Sequence, residues 1–314
     1  MADSHEIYGR FNAGCTKRLV FRIGHDAGLY SEYNNMVLAI LYCLRHRIRF
    51  EIFSSESKLL GPAGWTTFFQ SFCAESPDVR HRAYNYRRPR SHLSILRQPG
   101  YHLARWRFKK ASGVEFLTAD VWRQVREQRF DRSPIVIPAL GIDGTLRDAC
   151  RPIVHMTYRL NGETRSAVEH LAKPLKLPPR YAGLHIRGGD KKNESPVHHP
   201  DEYVARLRAV STLRDVFVLT DDHLAFVHLV RSHPEFTFRT LCAESESGYD
   251  HSCFLRRSAE NKKQQLMNLL ASIEVLRQAE VFVGTFSANP GAFLGMAMPS
   301  DRVHGLDRKA WLIP

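Results

Sequence analysis

The sequence predicts an α/β protein built on parallel sheets, and three observations carry that reading. Apolar runs of about six residues, such as Asp215–Thr220 (DVFVLT), recur between longer segments of helical period. Several of these runs end abruptly in polar residues, as strands of open sheets do where they deliver groups to a ligand. Helix-period segments far outnumber hairpin signals, which implies right-handed βαβ crossovers and, after Lys173, a Rossmann-like sheet.

Taken in order, Arg18–Ile23 reads as a first strand, followed by the loop GHDAGLYSEYNN and an apolar helix from about Tyr33 to Arg45. Arg49–Ser54 completes a βαβ unit. The glycines at 24 and 28 permit close backbone approach, which makes this corner a place to meet a ligand, with Gly28, Glu32 and Asn34 as candidates for the acceptor side; for each residue taken singly a plain βα turn is the slightly better reading. Between Arg80 and Lys110 ten residues are Arg or Lys, interleaved with tyrosine and tryptophan, and Thr118 is placed to cap a helix over Ala119–Gln128. Pro134–Pro138 is a short apolar strand or a cleft wall, and a helix-rich stretch runs from about Cys150 to Lys173. Lys173–Arg180 holds three prolines and three cations in eight residues, cannot continue a helix and sets a domain boundary, giving domains 1–172 and 173–314.

Beyond the boundary come strand Tyr181–Ile186, a helix opened by Pro200, strand Asp215–Thr220, a helix to about Arg231 and strand Phe236–Leu241. A polar loop, about Glu244 to Arg257, leads to helix Ala259–Ala279, whose Leu266, Leu269, Leu270, Ile273 and Leu276 form a core-facing stripe. Strand Glu280–Gly284 then precedes the segment TFSANPG, which opens another helix.

Composition narrows the function. A chain of 314 residues with 43% hydrophobic and 25% charged content is globular rather than disordered. Its formal charge of +13 calls for an anionic partner: nucleic acid, a membrane surface, or a phosphorylated or acidic substrate. Six cysteines with no CxxC pair read as reduced thiols, with a Cys242–Cys253 bridge left open. The amino terminus has no signal architecture, and the longest apolar run, Met36–Leu44, is too short to span a bilayer. The expectation is a soluble, cytoplasmic protein without a transmembrane segment, unless a longer natural gene supplies an anchor.

Three strand ends converge on one edge of the second sheet. His185, Arg187, Gly188, Gly189, Asp190 and Lys191 follow the first, Asp221-Asp222 the second, and Thr285-Phe286-Ser287 the third. Cations, carboxylates and hydroxyls at the mouth of a parallel sheet suit a nucleotide, and the helix start after Ser287 adds N–H groups for phosphate. Neither a Walker loop nor a GxGxxG fingerprint is present. Asp221-Asp222 reads equally well as a helix cap.

These motifs, together with His199-Pro200, Leu219–Asp222 and Gln278–Glu280, follow one another as in the α-1,6-fucosyltransferase family, which the last 130 or so residues resemble. The resemblance implies a GT-B-like fold: two Rossmann-like domains facing a cleft, the C-terminal one binding the nucleotide sugar. It implies an inverting, metal-independent transfer of L-fucose from GDP-fucose to a glycan or glycoconjugate, with no cofactor. Arg187 would bind the β-phosphate, His185 would lie against the nucleotide, and a carboxylate after Asp190-Lys191 would deprotonate the acceptor. Glu194 is nearest, although the family's base position holds Ser195 here. Gly188 replaces a second arginine, and Ser272, with Glu274 nearby, stands where the family holds guanine with an aspartate. Those departures motivate an alternative, a glycosyltransferase using another nucleotide sugar. The basic 80–110 stretch motivates another, a nucleic-acid-binding protein.

Overall fold

The computed structural model describes residues 4–24, 27–55, 57–87, 97–126, 134–188 and 197–308, and the chain divides into two compact units, Met1–Arg159 and Leu160–Pro314.

In the first unit, helix α1 (Ser4–Ala13) precedes the expected βαβ unit, formed by β1 (Lys17–Arg22), α2 (Leu29–His46) and β2 (Ile48–Phe53). β1 pairs in parallel with β2 on one side and with β3 (Phe116–Leu117) on the other. Helix α2 starts four residues before the predicted position and is buried on nearly every side, so it is core rather than surface. An aromatic cluster packs beside it, with Tyr33 stacked on Trp65 at 6.0 Å and Trp65 on Phe69 at 4.2 Å. Part of the basic stretch forms α3 (His81–Tyr84) and α4 (Pro99–Ser112). Helix α5 (Thr118–Arg126) does begin where predicted, but the Thr118 hydroxyl accepts the Arg22 N–H at 2.7 Å, tying the helix start to β1. The proline-flanked run becomes β4 (Ile135–Ile137), antiparallel to β5 (Ile142–Gly144), and α6 (Leu146–Thr157) follows with a Thr145/Asp148 capping box.

The second unit opens with α7 (Gly162–Ala172), which packs on the long helix α11 (Ala259–Gln278). The proline-rich segment read as a linker follows α7 and starts with a single 3₁₀ turn, Lys173–Leu175. Then come β6 (Ala182–Ile186), α8 (Pro200–Val210), β7 (Asp215–Thr220), α9 (His223–Ser232), β8 (Thr237–Thr240), α10 (His251–Arg256), α11, β9 (Val281–Gly284), α12 (Asn289–Ala297) and β10 (Val303–Gly305). The five strands form one sheet in the order β10-β9-β6-β7-β8, with every neighbouring pair parallel. Among the described residues of this unit, two elements escaped the sequence reading. α10 is too short to show a period, and β10 is a three-residue edge strand.

β6 is buried at every residue, as a central parallel strand must be. Its neighbours β7 and β9 receive chain crossing in opposite senses, so the switch point of the sheet lies between β6 and β9. A crevice at such a point is where a ligand is accommodated, and the segments after both strands line it here. The first turn of α12 sits hard against one of these segments: a Cβ on Gly291 would lie 2.1 Å from the Thr285 carbonyl oxygen.

No helix among the described residues is long and apolar enough to cross a membrane, and Cys242 and Cys253 are free thiols rather than a bridge.

Gly291→Ala must move backbone rather than a side-chain tip, so it should destabilise the protein by about 1–3 kcal/mol. Gly28→Ala, whose Cβ meets nothing within 4 Å, should stay within about 0.5 kcal/mol of wild type. Urea unfolding of the two variants checks this, and equal midpoints would contradict the close packing at Gly291.

Candidate active site

Arg187 leaves the carboxyl end of β6 and donates from Nη1 to Asp221 Oδ2, one residue past the end of β7. The same carboxylate accepts the Gly188 N–H at 2.8 Å on Oδ1 and the Tyr249 N–H at 2.9 Å on Oδ2. Its backbone carbonyl accepts the Gly248 N–H at 2.6 Å. Gly248 is at φ 109°, a conformation that side chains rarely adopt, and it turns the loop so that the Tyr249 ring lies 5.1 Å from the guanidinium carbon. Arginine and aspartate are largely covered, at 17% and 16% side-chain exposure, so the pair is well shielded from water. Asp222 parts from its neighbour and caps α9, accepting the Leu224 N–H at 3.0 Å. The two adjacent aspartates therefore have separate tasks and do not form a paired-carboxylate site.

His185 sits inside β6 at 3% exposure, and its Nδ1 has no hydrogen-bond partner. Burial lowers its pKa to about 4, the Arg187 charge pushes the same way, and Asp221 opposes it weakly. The imidazole is neutral at pH 7, with one ring nitrogen unsatisfied. Across the switch point, Thr285, Phe286 and Ser287 follow β9 and are all buried. Burial raises the pKa of the Tyr203 phenol on α8, while the Thr285 side chain and the Arg187 backbone act to lower it. The Phe286 and Ser287 N–H groups both donate to Asp307, at 2.8 Å to either carboxylate oxygen. The anion-binding groups expected of this loop thus hold an internal carboxylate, whose pKa burial would raise but the Ser287 hydroxyl and these N–H groups bring down.

Gly189, Asp190, Lys191 and Glu194 lie outside the described residues, so the predicted base and the second cation have no described position. Gly188 does not have to be glycine: an added Cβ would meet Asp221 Oδ1 at 3.6 Å and Asp222 Cβ at 3.7 Å, ordinary contacts. Ser272 is buried on α11, and Glu274 is tied to Arg277 at 2.7 Å. In the first unit the Glu32 carboxylate accepts the Gly24 and Ala27 N–H groups, shaping the loop, and Asn34 is fully buried. Gly28 alone of the three acceptor-side candidates is partly exposed.

Tyr203, Tyr249 and Asp307 were not found by sequence reasoning. Gly248-Tyr249, a glycine before an aromatic in a polar loop, was a signal that could have been used; Asp307 gave none.

No family model and no curated protein matches the chain. Solved structures do. One is NodZ α-1,6-fucosyltransferase soaked with GDP-fucose, at 16% identity and TM-score 0.52, covering 90% of this chain and 93% of that one. Fucosyltransferase NodZ from Bradyrhizobium matches at 15% and 0.51, covering 90% and 94%. An Arabidopsis thaliana FUT1 mutant in complex with GDP matches at 10% and 0.50, covering 92% and 72%. At these identities the likeness is one of fold: the chain has the parallel-sheet α/β fold of these GT-B-type proteins, as the sequence led us to expect.

The unfolded chain protonates His185 near pH 6.5, and the folded one only near pH 4. Between those values the unfolded state binds more protons, so stability falls as pH is lowered through the window. His185 should account for a loss of about 2–3 kcal/mol from pH 7.5 to 4.5. Urea midpoints of wild type and His185→Gln at both pH values test this, and identical losses would show that His185 takes up its proton without cost.

Proposed function

We propose that this protein is an inverting glycosyltransferase that transfers L-fucose from GDP-fucose to a glycan or glycoconjugate, without a metal in the transfer step. The observation that carries this reading is Arg187, fixed by Asp221 and Tyr249 at the carboxyl end of β6 beside the sheet's switch point. The solved neighbours support it, since their structures are those of fucosyltransferases with GDP-fucose or GDP. In the transfer, the acceptor oxygen bonds to the anomeric carbon as the bond from that carbon to the β-phosphate oxygen breaks. The electron pair stays on GDP, and the acceptor proton passes to a carboxylate on the opposite face, for which Glu194 is the candidate. A guanidinium already in place offsets the charge that develops on the diphosphate.

Asp221 positions Arg187 but also cancels its charge. Diphosphate affinity must then draw on further cations, with Lys191 and its neighbour Lys192 as candidates, together with the helix start at α12. A cation added at Gly188 would do the same work. The other nucleotide-sugar reading keeps its footing in Ser272, which offers a hydroxyl where the resemblance calls for a guanine-binding carboxylate. Nucleic-acid binding loses support, because Arg105 and Lys109 both pair with Asp120, at 2.7 and 2.8 Å, and Arg80 pairs with Asp78 at 2.7 Å.

GDP-fucose should raise the Tm more than UDP- or ADP-sugars do, measured by thermal shift. Arg187→Lys, which keeps the charge but loses the planar fork, should lower the rate of GDP release by about 10²–10³-fold, and Mg²⁺ or Mn²⁺ added to chelator-treated protein should leave that rate unchanged. Wild-type rates in Arg187→Lys, or equal shifts with every nucleotide sugar, would refute the assignment.

Gly188→Arg, whose Cβ would make only ordinary contacts and whose charge would sit beside Asp221 and Asp222, should fold normally and should bind GDP about tenfold more tightly by calorimetry. Unchanged affinity in a folded variant would show that position 188 does not face the diphosphate.

A further inference from the structure

Outside the strand ends, α8 and α9 bring together side chains with another chemistry. His199 is the N-cap of α8, Asp201 lies in its first turn, and His228 projects from α9. The Asp201 carboxylate stands 2.8 Å from His228 Nε2 and 3.2 Å from His199 Nδ1, and the three candidate ligand atoms lie within 4.8 Å of one another. The His199 and His228 rings meet edge to face at 4.9 Å. We propose that His199, Asp201 and His228 form a binding site for a divalent transition metal, with Zn²⁺ as the best-suited ion.

Two imidazoles and one carboxylate match the ligand preferences of zinc rather than those of magnesium or calcium, which favour an all-oxygen shell. Tetrahedral ligands about 2.0–2.1 Å from a zinc ion lie roughly 3.3 Å apart; the two Asp201–histidine distances are already that short, and the whole set lies within 4.8 Å. A supporting chain of contacts lies behind it. His233 Nε2 is 2.9 Å from Asp201 Oδ1, and its Nδ1 is 3.3 Å from Arg208 Nη2, which is itself paired with Glu235. A guanidinium only donates, so His233 Nδ1 is the acceptor and Nε2 carries the hydrogen. That hydrogen is directed at Asp201 and orients the carboxylate, the arrangement by which outer residues fix a metal ligand. His233 is the most covered of the group, at 12% side-chain exposure, while His199 and Asp201 face solvent at 61% and 47%. An ion would therefore load from solution and keep a water in its fourth position.

None of the site's three residues is among those proposed above to act in sugar transfer. Its effect is to clip α8 to α9, the helix that begins directly after Asp221-Asp222. Plain ion pairing around Asp201 with a histidine cap is the competing account, and the variants separate the two. His199→Asn retains a good N-cap but removes a ligand, and His228→Gln keeps a donor for Asp201 but does not ligate zinc well.

The test uses tag-free, chelator-treated full chain, titrated with ZnCl₂ by calorimetry and thermal shift, with Co²⁺ absorption as a spectroscopic check. The expected result is one Zn²⁺ per chain, a raised Tm, and a cobalt spectrum of tetrahedral intensity; MgCl₂ should do nothing. His199→Asn and His228→Gln should each weaken zinc binding by at least about 100-fold, His233→Gln by about 10-fold, and the neighbouring His198→Ala not at all. Zinc binding that is unaltered in the first two variants, several weak equivalents per chain, or no rise in Tm would each overturn the proposal.

Discussion

The carboxylate of Asp221 is the interaction on which the second unit's ligand-facing edge depends. It gathers the guanidinium of Arg187, the Gly188 N–H and the Tyr249 N–H, so the segment after β6 and the loop after β8 are aligned by one acidic group at the end of β7. The two lie some sixty residues apart in the sequence, and no local preference would bring them together. Neutralising one charge with another keeps the cluster stable when shielded from water, where a lone arginine would carry a desolvation cost of several kcal/mol. The same pairing limits how strongly Arg187 alone attracts an anion. Position and affinity are in tension at this point, and the chain has settled it in favour of position.

A second carboxylate plays a matching part across the switch point. Asp307 satisfies the N–H groups of Phe286 and Ser287, which would otherwise be orphaned at a buried loop. Both edges of the crevice are thus built on anions from the protein itself, and a diphosphate placed there must compete with them or bind alongside. His185, a buried residue of β6, has an Nδ1 without a hydrogen-bond partner. It is neutral, so it offers a hydrogen-bonding edge rather than a charge.

The parallel sheet was legible in the sequence because burial on both faces leaves continuous apolar runs, and Asp215–Thr220 was read to the residue. Arg187 was legible for the related reason that a charge directly after such a run must emerge at the sheet's edge. The partners of these groups were not. Asp307 lies 20 residues beyond Ser287, after a three-residue edge strand that carries no pattern. Glu32 and Asn34 look like loop-end polar residues in a sequence, yet one shapes its own loop and the other lies in the core, because a helix buried on nearly every side absorbs polar residues as well as apolar ones. His199 was legible only as a neighbour of Pro200; its relation to His228 depends on how two helices pack, which spacing along one chain does not encode.

Asp307 has a consequence for how the protein comes into being. The loop after β9 leaves the ribosome about twenty residues ahead of the carboxylate that satisfies its N–H groups. Until then it has the right sequence but no internal anion to wrap around, so this edge of the crevice takes form only once Asp307 itself has been made. The nascent chain can assemble β6, β7 and the Arg187 cluster earlier, because every partner of Asp221 has already been made by Tyr249. The two halves of the crevice therefore mature in sequence, the cationic edge first.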